Sequence, residues 1–482
     1  MGIVKIEGKI NGLHWITTSL FIVADLAGGG IVAMPLAMVK SGLIAGLIIM
    51  FILFIVFTYT AHLLGQNWIR MCKNWPEYNE HCRKPYPEMA LRSMGQRSRT
   101  FTSFVINAML YGVSIVYLLL ASKIINDIVF SLFGLNFGSC LMLLIVSSIM
   151  LPVTFLKSPQ DFWWAIVVAM FTTLFAVILI FGGTIADYNT CTSVAYYPNF
   201  DIRNLFLSLG TFMFSFGGHA VFPTIQHDMK KPTLFTKASI AAFILVIMMY
   251  VPVTVLGYVV YGDSVQDSII SSLQTPILQN IANALIAIHC ILTLTIVINP
   301  LNQEVEHLIN APHHFGWQRI VIRSFVMGLI VFTAETIPNF GPILNLIGGT
   351  CVTLTSAILP CFFNLFMETK LNMIKYNNNE KKNENEIYPT IMDVYKNTNR
   401  KKLIINCIII ILSLICGVAT TISGIKEMGD SQFSMPCYLK NAFGESTTPK
   451  MIESFKLINC CGRFLNESKY NDINICLNNI SI

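Results

Sequence analysis

Runs of about twenty apolar residues, separated by short polar stretches, recur along this 482-residue chain. A hydrocarbon core of about 30 Å needs about 20 apolar residues in a helix. Windows of that length predict eleven spans, at residues 16–39, 42–65, 101–122, 139–156, 162–185, 203–225, 236–260, 277–299, 318–336, 341–366 and 402–424. The predicted fold class is an all-α polytopic membrane protein of about eleven transmembrane helices. The first window follows Lys5 and Lys9 as a signal peptide would, but it is too long for such a segment and is broken by Asp25, so it reads as a retained span. The opening "MGIVKI" lacks the Ser or Thr of a myristoylation site.

Two windows carry a second pattern inside the first. "DLAGGGIVAMP" (25–35) and "FSFGGHAVFP" (214–223) place glycines, an ionisable side chain and a proline in otherwise apolar helix. Pairing Gly29 with Gly217 and Gly30 with Gly218 sets Pro35 opposite Pro223 without a gap, an offset of 188 residues. Backbone freed at such positions has no partner in lipid, so both segments face protein or a water-filled cavity. Paired interruptions in corresponding spans point to a transporter binding site. Five spans per half force the halves into opposite orientations, a 5+5 inverted repeat with broken helices 1 and 6 and an eleventh helix added. The boundaries follow: a cytosolic N-terminus to residue 14, repeat one about 15–186, repeat two about 202–366, a cytosolic linker 367–401, helix eleven at 402–424, and a tail over 426–482. Half-helix N-termini direct partial positive charge at an anionic group, and freed carbonyls direct partial negative charge at a cation. A zwitterionic amino acid presents both.

Composition narrows the class. The chain is 54% hydrophobic and 12% charged, outside the range of soluble domains. Its net charge of +6 sits in loops and implies no nucleic acid partner. With the N-terminus cytosolic, 23 of 32 lysines and arginines fall on that side, whereas the opposite short loops carry Lys40, Lys123 and Arg203; basic loops stay in the cytosol. An odd number of spans then sends the tail outside the cell or into a lumen. The tail holds the glycosylation sequons of Asn466 and Asn479, and four cysteines, Cys437, Cys460, Cys461 and Cys476, an even number suited to two disulfides. "EHCRKP" (80–85) lacks the paired spacing of a closed metal site, so no metal is expected. "YPTI" (388–391), beside the polar run "NNNEKKNENE" (377–386), has the form of a tyrosine-based sorting signal. No span sets a nucleophile and base at converging positions, which argues against an enzyme, and no repeated polar lining points to a channel.

Asp25 lies about nine residues, or about 14 Å, into the first span. A lone carboxylate at that depth resists ionisation, so Asp25 is the expected proton-coupling group or cation ligand. His219 titrates in a useful range and is expected to bond substrate, relay the proton, or donate to a local carbonyl. Thr293 and Thr295 in the eighth span are alternative sodium ligands, although membrane threonines commonly bond their own backbone.

The stretches "AGGGIVAMPLAMVKSGL" (27–43), "FSFGGHAVFPTIQHDMKKP" (214–232), "IAIHCILTLTIVINPLNQEVE" (286–306) and "IPNFGPILNLIGG" (337–349) together resemble the amino acid/auxin permease family. The resemblance extends over about residues 12–425. It implies a LeuT-like fold and secondary transport of amino acids coupled to protons or sodium. It departs at Ala24 and Asp25, where many members carry asparagine shortly before the glycines, which leaves the coupling ion open. The expected substrate contacts are Gly28, Gly29, Gly30, Phe216, Gly217, Gly218 and His219. The expected activity is proton-coupled symport by alternating access in a plasma, lysosomal or vesicular membrane, with no cofactor. A sodium-coupled symporter and an amino acid sensor with little flux are the alternatives.

Overall fold

Lipid offers the backbone no hydrogen-bond partner, so each apolar run closes its amides and carbonyls on itself as helix. The computed structural model describes residues 12–430 apart from 81, 83, 136, 156–162, 312–315 and 377–387, together with Tyr438. The first half comprises α1 (Trp15–Leu26), α2 (Gly29–Ser41), α3 (Leu43–Asn74), α4 (Pro85–Met94), α5 (Gln96–Phe133), α6 (Ser139–Thr154), α7 (Trp163–Ala186) and the short α8 (Tyr188–Cys191). The second comprises α9 (Ile202–Phe216), α10 (Phe222–His227), α11 (Phe235–Tyr261), α12 (Pro276–Leu308), α13 (Trp317–Thr336), α14 (Phe340–Ile347) and α15 (Leu359–Tyr376). A π-helical segment, Gly348–Ile358, joins the last two, and α16 (Ile391–Asn397) leads into α17 (Arg400–Asp430). Among the described residues the sole β pairing is an isolated parallel bridge from Leu13 to Met229.

Each of the eleven predicted windows holds helix. Among the described residues, by length and composition alone, seven helices could cross a membrane, or eight when α1 and α2, bent by 55°, count as one span. The shortfall has physical causes. Helices α6 and α9 have only 16 and 15 residues, and α13 carries Arg319 and Arg323. Both arginines are buried on one carboxylate, Glu306 of α12, at 3.0 Å and 2.6 Å, and Arg323 also donates to the Thr154 carbonyl at the end of α6. The ion cluster therefore clamps three helix ends. Removing one partner would leave a buried charge uncompensated.

The tenth span, interrupted by glycines, takes π geometry where they fall. A Cβ on Gly348 would overlap the Gly210 carbonyl of α9, and one on Gly349 would lie 2.7 Å from Thr420 Cγ2 of α17. Absent side chains thus let α9, the π segment and α17 pack closely, and a wide-turn segment of this kind often marks a functional site.

Two expectations about cysteine and loop chemistry change. Cys140, in the first turn of α6, is disulfide-bonded, so oxidised cysteine is not confined to the tail. Eight other described cysteines are free. Cys437, Cys460, Cys461, Cys476, Asn466 and Asn479 lie outside the described residues, as does "NNNEKKNENE". In "YPTI", the Lys370 ammonium sits 4.3 Å from the Tyr388 ring centroid, and Thr390 caps α16 in a reciprocal box with Asp393. Ile391 is already helical, so the four residues are not one extended, free segment. Burial pushes the Cys82 thiol up to about 11, which keeps it protonated. No group of three metal-ligating side chains occurs among the described residues.

Candidate functional site at the paired breaks

The first break is short. Helix α1 ends at Leu26, Ala27 leaves helical geometry with ψ near 62°, and Gly28 serves as N-cap of α2. Gly29 and Gly30, expected in the unwound region, instead form the first turn of α2. Their lack of side chains serves contact. A Cβ on Gly30 would lie 2.8 Å from Ser215 Cβ on α9, and one on Gly29 would press Leu120 at 3.3 Å. The second break is longer. Phe216 ends α9, Gly217 is extended with φ −95° and ψ 100°, and helix resumes only at Phe222, with Pro223 in the first turn of α10. Proline there removes an amide that would be unpaired anyway.

The two breaks meet. Gly218 packs on the Asp25 side chain so closely that a Cβ at 218 would overlap Asp25 Oδ2. That oxygen is buried without a hydrogen-bond partner, and Asp25 takes part in none of the ion pairs among the described residues. Tyr250 of α11 ties the two helices from the side. Its hydroxyl lies 2.7 Å from the Leu26 carbonyl and 3.0 Å from the Ser215 carbonyl, and so shares one proton between the last turns of α1 and α9. Phe216 packs edge-on against the same tyrosine at 5.4 Å. The C-terminal ends of α1 and α9 therefore bring carbonyls to one place. The N-terminal end of α2 brings amides that lack intrahelical partners. Opposite partial charges converge around an unpaired carboxyl.

His219 turns away from this junction. Its Nε2 donates to the Phe57 carbonyl of α3 at 2.9 Å and lies 3.1 Å from Thr60 Oγ1. Because a carbonyl only accepts, Nε2 carries the proton. The ring is wedged among Phe57, Phe222 and Phe243, and Nδ1 has no partner. This is a histidine holding the second break to α3. His219→Gln, which can still bond but cannot titrate, is expected to keep the wild-type pH profile of transport and lose about 1 kcal/mol of stability. A shifted profile in uptake assays would restore the relay role.

A second histidine faces the first break. His289 of α12 donates from Nδ1 to the Ala169 carbonyl of α7 at 3.1 Å, beside Thr173 Oγ1 at 2.7 Å. Its Nε2 therefore offers a lone pair, which accepts the Thr293 hydroxyl at 3.3 Å. A Cβ on Gly28 would lie 2.7 Å from that nitrogen and 2.5 Å from the Tyr117 hydroxyl of α5. His289 and Tyr117 thus close the outer wall of the break.

The same helix sets the two threonines apart. Two positions on one helix point about 200° apart, so Thr293 and Thr295 do not converge. Thr293 is engaged with His289, and Thr295 donates to its own helix at Ile291, 2.9 Å away.

The transmembrane amino acid transporter protein family matches this chain over residues 11–383. The chain belongs to that family. Amino acid transporters AVT1C and AVT1B of Arabidopsis thaliana are 26% and 27% identical over 349 and 352 residues, in each case 70% of this chain. The match spans only 61% and 62% of those relatives' length; AVT1J of the same plant is matched over 82% of its length at 26% identity. Among solved structures, MhsT in complex with L-phenylalanine aligns with a TM-score of 0.56 at 10% identity, over 86% of this chain and all of that one. Mhp1, a nucleobase-cation-symport-1 transporter in a closed conformation, gives 0.50 at 11% identity, over 90% and 96%. These likenesses establish the LeuT-like fold. Family and fold are those of transporters and not of enzymes.

Proposed function

We propose that this member of the amino acid transporter family carries amino acids across a membrane by alternating access, with the proton as coupling ion. One observation carries the reading: the unpartnered Asp25 carboxyl lies against Gly218 where both broken helices meet. The substrate carboxylate is placed at the amide end of α2, near Gly28, and the ammonium near the carbonyl ends of α1 and α9, with Phe216 and the Gly217–Gly218 backbone forming the opposite wall. Asp25 takes up and releases the coupling proton. The names of the plant relatives and of the fold neighbour with bound L-phenylalanine support an amino acid as cargo.

Sodium is the second choice. The two threonines that were its expected ligands face apart, whereas a lone carboxyl suits a proton. Replacing sodium by choline is expected to leave uptake within about twofold of control; a larger drop would return sodium to the mechanism. The N-terminus is assigned to the cytosol, and the tail to the outside or a lumen. The disulfide at Cys140, on the side away from the basic loops, supports that orientation.

The test is uptake of radiolabelled amino acids by the purified protein in liposomes, with an inward proton gradient and no sodium. Accumulation that an uncoupler abolishes would establish proton symport. Saturable binding without accumulation, under that gradient and then under an imposed sodium gradient, would assign the chain to the sensors.

A further inference from the structure

The eleventh helix lies outside the inverted repeat, yet one of its side chains reaches both halves. Glu427 of α17 accepts the Lys40 ammonium, in the last turn of α2, at 3.0 Å through Oε1. Through Oε2 it accepts Asn345 Nδ2 of α14 at 3.0 Å. Asn345 Oδ1 in turn accepts the Thr211 hydroxyl of α9 at 2.6 Å. A single carboxylate thus links the far end of α2 to α9, the two half-helices that meet at the site. The contact is bound tightly to α17 because that helix packs through small residues. A Cβ on Gly417 would lie 2.9 Å from the Gly349 carbonyl, and one on Gly424 would touch Leu346.

We infer that Glu427 is a positioning residue that latches α2 to α9 and α14 on the face opposite the basic loops, and that this latch must open when the site exposes itself to that side. The inference rests on the alternating-access reading. Its physical basis is the arrangement of hydrogen bonds. Lys40 and Glu427 are partly exposed, with side-chain accessibilities of 31% and 21%, so water can replace each partner as the pair separates. A partly exposed surface pair of this kind adds little to stability. The latch is therefore weak enough to open during turnover. Asn345 and Thr211 are buried and keep the carboxylate aimed while Lys40 moves.

The experiment uses the full chain in liposomes, with Lys40→Cys and Glu427→Cys combined and the two single variants as controls. A bifunctional thiol cross-linker short enough to span the native contact is expected to stop uptake in the double variant, and reductive cleavage of that linker is expected to restore it. In parallel, Ser215→Cys is introduced into wild type and into Glu427→Gln, and its reaction with a membrane-impermeant thiol reagent is followed by mass. Faster labelling in Glu427→Gln, by about threefold or more, is the expected result, and Lys40→Glu with Glu427→Lys should bring the rate back only in part, since a lysine at 427 renews the ion pair but cannot accept from Asn345 Nδ2. Undiminished uptake after complete cross-linking, or labelling unaffected by Glu427→Gln, would overturn the latch. The labelling arm needs no transport. Failure of uptake in every variant and in wild type would instead strike the transport reading.

Discussion

Asp25→Asn is expected to convert concentrative uptake into simple equilibration. Asparagine keeps the shape that fits against Gly218 but cannot exchange a proton. A gradient of about two pH units supplies about 2.7 kcal/mol, enough for about a hundredfold accumulation at one proton per substrate. The variant should fall to an accumulation ratio of about one under the same gradient, while exchange of labelled for unlabelled substrate continues. The reason lies in what surrounds the carboxyl. Oδ2 is buried without a partner, and no cation pairs with Asp25 among the described residues. A structural ion pair would have left a buried countercharge behind in the variant, with loss of folding; here none is left. Full gradient-driven accumulation by a well-expressed Asp25→Asn protein would remove Asp25 from the coupling mechanism.

Much of the site could be read in the sequence because the signal is local. A helix of apolar residues that contains "AGGG" or "FGGH" declares its own weak point, and the equal spacing to proline tied the two weak points together. The conformation at each glycine was less legible. Gly29 and Gly30 look like unwound backbone but are the helical first turn of α2, since what they relieve is contact with Leu120 and Ser215, which lie far along the chain. The residues around the breaks were hidden for the same reason. Tyr250 meets Leu26 across 224 positions, and neither residue's type or neighbourhood marks the pairing. Nothing beside His289 in the sequence marks it, whereas His219 stands directly after a glycine pair. Their hydrogen bonds separate the two: His219 is spent on Phe57, and His289 presents a nitrogen to Gly28. Helix periodicity alone could have warned that Thr293 and Thr295 point apart.

Gly30→Ala should cost the protein both transport and stability, and Ser215→Gly should return part of each. In the interior of a helix, alanine is favoured over glycine by about 1 kcal/mol, so an unobstructed site would gain. Gly182 of α7, with nothing within 4 Å of an added Cβ, is the matching control and should unfold at the same temperature as wild type or higher. At Gly30 the sign reverses. The added methyl would overlap Ser215 Oγ and lie 2.8 Å from its Cβ and 2.9 Å from its Cα. The first two atoms belong to a side chain and the third to backbone that cannot turn aside. Gly30 lies in the first turn of α2, where the helix gain is smaller than in an interior, so overpacking at a cost of about 1–3 kcal/mol outweighs it and forces α2 and α9 apart where they bracket the site. Ser215→Gly removes the two side-chain atoms but leaves Cα, so recovery should be partial. Thermal unfolding in detergent and liposome uptake would be measured on Gly30→Ala, Ser215→Gly and the double variant. If the double variant is no better than Gly30→Ala alone, the close approach of α2 to α9 is not what the glycine provides. If it recovers stability without uptake, the seam between the half-helices has a role in turnover beyond its packing.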